Sequence, residues 1–114
     1  MKLVDIASLW GGTKQALGRA MDLSQDALHI HVGVLIFLVA AGAMVRLRRS
    51  VLWAWLFLLM VECGNEFIDL NQRFGSPESN WPASRHDIWN TMLLPSAIAA
   101  YLWWRERHRR GDAR

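Results

Sequence analysis

Cysteine is almost absent from this chain, and the single Cys63 excludes both an intramolecular disulfide and a four-cysteine zinc site. Length is also scarce: 114 residues make one domain at most, with no room for a separate catalytic module. Any function must therefore sit on or between the elements of that one domain. A cleavable signal peptide is not expected, because Asp5 interrupts the apolar stretch of residues 3–10 and only Lys2 precedes it. The first spanning helix would then serve as its own insertion signal. His and carboxylate side chains are suitable ligands for zinc or manganese, but there is no HExxH motif and no second helix that matches the Glu62–Glu66 pair, so a metal site is the lesser alternative and no cofactor is expected.

Hydrophobic residues make up 53% of the chain, yet the mean hydropathy is only +0.10, because apolar residues lie in blocks with the charges between and beyond them. That segregation is a membrane pattern. The isoelectric point near 9.8 does not imply a nucleic-acid partner. The basic residues flank apolar runs instead of being interleaved across a polar face, so no nucleic-acid binding is expected.

The fold expected is all-α: a three-helix transmembrane bundle preceded by an amphipathic helix in the membrane interface. Residues 1–26 form the amphipathic segment, with Trp10 as an interfacial anchor and a break at Gly11 and Gly12. Residues 27–104 form the transmembrane domain, with spans at 27–45, 51–70 and 87–104. About 20 residues at 1.5 Å each cross a hydrocarbon core of roughly 30 Å. Ser50 and Ser84 are the expected N-caps of the second and third spans, and the segment from Gly75 to Ser84 is expected to be a loop. Pro95 should kink the third span and free the Thr91 carbonyl. Residues 105–114 form a basic tail.

Orientation follows from the distribution of basic residues. The 46–50 loop and the tail carry eight Lys and Arg against two acids, while the other side carries five against eight acids. The C-terminus is therefore expected in the cytoplasm, with the protein in a bacterial inner membrane. Tryptophans fall into matching belts, Trp53, Trp55, Trp103 and Trp104 on one side and Trp81 and Trp89 on the other.

Glu62, Glu66 and Asp69 follow one another at i, i+4 and i+7, an arc of about 60° on one helix face. Arg73 continues that stripe. Ionised carboxylates one turn apart repel, and withdrawal from water raises the cost, so a proton, a basic side chain or a cation must compensate. The same depth should hold Arg85, His86, Asp87, Asn90 and Thr91 from the third span, with His29 and His31 from the first. His29 and His31 lie about 200° apart around their helix, so only one can face the others. Glu62, Glu66 and Asp87 are the candidate acid and base groups, and Asp69, Arg73, Arg85, Asn90, His29 and His86 the candidate binding groups. A purely structural network tying three helices together is the alternative reading of the same residues.

The pattern Glu62-Cys63-Gly64-Asn65, then Arg85, then Asp87-Ile88-Trp89-Asn90-Thr91 resembles the VanZ-like family of bacterial membrane proteins over residues 51–104. That family carries Glu with Gln three residues on, then Arg, then Asp followed after three residues by Asn-Thr. Asn65 stands here where the family usually has Gln, and Met92-Leu93 where it has Leu-Gly. The resemblance implies a cell-envelope location and an association with teicoplanin resistance. The expected ligand is a lipid headgroup or cell-envelope precursor bound in an outward-facing pocket. Alternatives are an accessory subunit of a larger membrane complex, self-association into a homo-oligomer, and an ion or proton pathway.

Overall fold

The computed structural model describes residues 1–72 and 79–111, and contains four helices with no strand among those residues. They are α1 (Leu3–Ala20), α2 (Gln25–Ala43), α3 (Ser50–Leu70) and α4 (Trp81–Gly111). The fold of the described residues is all-helical, the class expected from the sequence. Helices α2 and α3 reproduce the first two expected spans to within two residues at each end.

These two helices are long and apolar enough to cross a membrane, with mean hydropathies of 1.8 and 1.5. Only 28% and 22% of those stretches are buried, whereas the central helix of a water-soluble protein is mostly covered. Leu35, Leu38, Val39, Met60 and Phe67 all point outward. Helix α4 contains residues 87–104, where the third span is expected, but begins earlier and ends later, and among the described residues only α2 and α3 are apolar enough over their length to be candidate spans.

Local chemistry explains where the boundaries differ. Gly11 and Gly12 do not break α1, which runs through both. Gly11 is a contact site: a Cβ there would stand 2.8 Å from the Gln72 side chain, while one on Gly12 would meet nothing within 4 Å. Ser84 is not a cap but lies inside α4. Asn80 takes that role, its Oδ1 accepting from the Ala83 amide at 2.9 Å, so Trp81 to Ser84 are helical instead of loop. Ser50 is likewise the first helical residue, preceded by Arg49 with φ 64° and no side-chain cap. Ser24, by contrast, caps α2 through its hydroxyl, which accepts from the Ala27 amide at 3.2 Å.

Helices α2, α3 and α4 pack against one another around Phe37, Ala40, Ala54, Leu58 and Met92. Helices α2 and α4 come close at Gly33, where a Cβ would stand 2.8 Å from Thr91 Cγ2 and 2.9 Å from the Thr91 carbonyl. Pro95, itself buried, has no N–H to offer that carbonyl. Helix α1 packs on α2 and α3 through Ala7, Gly11, Lys14 and Gly18. The molecule is 59 Å long and 28 by 25 Å across. Trp55 departs from the expected belt by turning inward, where its indole N–H donates to Ser96 Oγ at 2.8 Å.

Candidate functional site

Four helices converge on one buried polar cluster. The second turn of α2 presents His29, the last turns of α3 present Glu62, Glu66 and Asp69, and the first turns of α4 present Ser84, Asp87 and Thr91. The i, i+4, i+7 spacing on α3 places its three carboxylates on the inward face, and they are only 6%, 3% and 1% exposed.

Thr91 Oγ1 donates to Glu62 Oε1 at 2.8 Å, and His29 Nδ1 lies 3.2 Å from each of those two oxygens. The other ring nitrogen, Nε2, lies 3.7 Å from Asp87 Oδ2. One imidazole therefore stands between two carboxylates from two different helices. A step toward the end of the bundle, Asn65 Nδ2 donates to Glu66 Oε1 at 3.1 Å and to Asp69 Oδ2 at 3.3 Å. Asn65 Oδ1 accepts from the Trp10 indole at 2.9 Å, which ties α1 to the same network.

Asp69 receives the largest compensation. Lys14 forms a buried ion pair with its Oδ2, and Gln72 Nε2 donates to its Oδ1 at 2.8 Å. Removing two charges from water costs several kcal/mol per ion, so such a pair persists only with further hydrogen bonds of this kind. Ser84 is also fully buried; its hydroxyl is close enough to interact with the Glu66 carboxylate yet completes no hydrogen bond.

The structure thus brings together five of the expected site residues, His29, Glu62, Glu66, Asp69 and Asp87. It turns others away. Arg85 is exposed, because α4 presents Ser84, Asp87 and Thr91 inward and position 85 falls on the outer face. His86 is exposed as well and lies 3.5 Å from Asp26, and Asn90 is half-buried and turned to His86, 3.3 Å away. These three belong to an outer rim and not to the buried cluster. Arg73 lies outside the described residues. His31 faces away, as its angular separation from His29 requires, with Nδ1 2.6 Å from the Ala27 carbonyl of its own helix. Cys63 is exposed and takes no part.

Sequence reasoning missed Lys14, Trp10, Asn65 and Ser84. A signal existed for Lys14: Ala7, Gly11, Lys14 and Gly18 fall on one helical stripe, and three small residues on that stripe mark a face that another helix approaches closely.

A cleft of about 210 Å³ opens beside the cluster. Leu17, Leu28, Val32, Ile36, Leu58 and Val61 form its apolar wall, and Lys14, His29, Glu62, Asn65 and Thr91 its polar end, with Trp10 and Gly33 completing the lining. No family model, curated protein or solved structure matches the chain.

Proposed function

We propose that this chain is a multi-pass, VanZ-like membrane protein of the bacterial inner membrane that binds the polar head of a lipid or cell-envelope precursor in the cleft beside His29 and Glu62. In this reading α2, α3 and α4 cross the bilayer, α1 lies at the outer headgroup level, and the Arg-rich end of α4 faces the cytoplasm. The shape of the cleft carries the proposal: an apolar wall running into a polar end is complementary to an amphipathic molecule. With Arg85 on the outer face, the headgroup contacts in this reading would come from Lys14, His29, Glu62 and Asn65, which line the polar end of the cleft. His29 lies 3.2 Å from Glu62 Oε1 and 3.7 Å from Asp87 Oδ2, so in this reading Glu62 and Asp87 are the carboxylates nearest the imidazole for proton exchange.

The test is native mass spectrometry of the detergent-purified full chain. Wild type should retain a lipid, and Val32→Trp, which fills the cleft, should release it while remaining folded. Retention unchanged by Val32→Trp overturns the proposal. In cells, Glu62→Gln and Asp87→Asn should leave abundance and insertion intact while reproducing the phenotype of gene deletion. A reporter fused to the C-terminus should signal from the cytoplasm.

A further inference from the structure

We infer that His29, Glu62 and Glu66 form a three-ligand site for a divalent first-row metal ion of the zinc and manganese class, with Asp87 and Thr91 orienting the ligands. The inference rests on the reading of the cleft only in placing the ion at its polar end. Each of the three residues offers one ligand atom, all three atoms lie within 4.8 Å of one another, and all three residues are buried. Two atoms held at roughly 2.0–2.1 Å from a common tetrahedral ion stand about 3.3 Å apart. His29 Nδ1 and Glu62 Oε1 are 3.2 Å apart.

The surroundings have the form of a metal site's outer shell. Metal-bound imidazoles commonly direct their other ring nitrogen to a carboxylate, which fixes the ring and raises its basicity. His29 does so, with Nδ1 toward Glu62 and Nε2 toward Asp87 Oδ2. Ligating carboxylates are themselves hydrogen-bonded in such sites. Glu62 Oε1 accepts from Thr91, and Glu66 Oε1 from Asn65.

Two independent observations indicate that something beyond the protein's own groups completes the cluster. The Ser84 hydroxyl, 1% exposed and beside Glu66, has no hydrogen-bond partner, although a buried hydroxyl without one is costly. Among the described residues, moreover, Glu66 has no ion pair, while the buried lysine that α1 supplies pairs with Asp69. A divalent ion between Glu62 and Glu66 offsets two adjacent buried carboxylates that otherwise repel.

The test uses the full chain in detergent, freed of metal by chelator and titrated with Zn²⁺ and, separately, Mn²⁺. A single saturable site is expected, and X-ray absorption at the metal edge should show imidazole nitrogen with oxygen donors. Glu66→Gln, which retains the side-chain volume, should weaken binding at least about 100-fold, and Asp87→Asn about 10–100-fold. His86→Gln, on the exposed rim, should leave affinity unchanged. The ion should raise the unfolding temperature of wild type but not of Glu66→Gln. No saturable binding to wild type, a spectrum lacking imidazole, or affinity indifferent to Glu66→Gln overturns the inference. Loss of the metal result with lipid retention intact sinks the ion alone, whereas metal binding without lipid retention sinks the cleft reading alone.

Discussion

The two ends of the bundle are built on opposite principles. At the acidic end four helices meet, and the pairs Lys14–Asp69, Trp10–Asn65, His29–Glu62 and Thr91–Glu62 are linked side chain to side chain across helix boundaries. At the other end α3 begins and α4 finishes among arginines, and the space between them widens to about 750 Å³, lined by Arg48, Arg49, Trp55, Trp103, Glu106 and Arg110 among others. The one ion pair there among the described residues, Arg110 with Glu106, lies within α4 and is largely exposed. Charges left in water need no partner and hold nothing together, whereas charges withdrawn from it must be paired and so fix the helices that carry them.

The largest expected effect tests that difference directly. Lys14→Met leaves Asp69 buried without its cation and should cost about 3–5 kcal/mol. Arg110→Met at the open end should cost under about 1 kcal/mol. Unfolding in sodium dodecyl sulfate followed by circular dichroism measures both. Equal costs would remove the distinction between the ends.

Next is Leu58→Ala, in the apolar layer between the two ends. Leu58 is 1% exposed, and its truncation should cost roughly 2–5 kcal/mol by leaving a cavity, read by the same titration. A cost below that range would show that the helices close up around the gap, with the polar end alone setting their spacing.

The glycines sharpen the comparison further. Gly33→Ala inserts a methyl group against Thr91 and should cost about 1–3 kcal/mol, moving His29 away from Glu62. Gly42→Ala, near the Arg-rich end with nothing within 4 Å, should stabilise by up to about 1 kcal/mol through helix propensity. Melting temperatures of the two variants should therefore shift in opposite directions. The smallest effect is expected for Glu106→Gln, which removes an exposed i, i+4 pair worth about 0.3–0.5 kcal/mol and should be nearly silent in a thermal melt at high salt.

Much of the architecture was legible in the sequence. Two largely apolar stretches on either side of Arg46, Arg48 and Arg49 locate α2 and α3, since about 20 residues of that hydropathy suffice for a helix able to cross a membrane. The spacing of Glu62, Glu66 and Asp69 locates the inward face of α3 for the same periodic reason. The start of α4 was misread because Ser84 and Asn80 are both competent caps, and only the packing of Ser84 against Glu66 removes it from that role. Arg85 and Asn90 were placed in the site by their order along the chain, but the rotation of α4 about its own axis decides which of its residues face inward. In that rotation Thr91 faces inward against Gly33, 58 positions away in the chain.

Legible in the residues alone are the helical character of the chain, two helices apolar enough to cross a membrane, and three carboxylates on one helix face. Each of these follows from periodicity and composition within a single segment. That Lys14 reaches Asp69, that His29 stands between Glu62 and Asp87, and that Arg85 stays outside emerges only once the helices are packed together. Those outcomes depend on how helices distant in sequence rotate and approach, which is governed by the few places where a missing side chain lets two backbones close together.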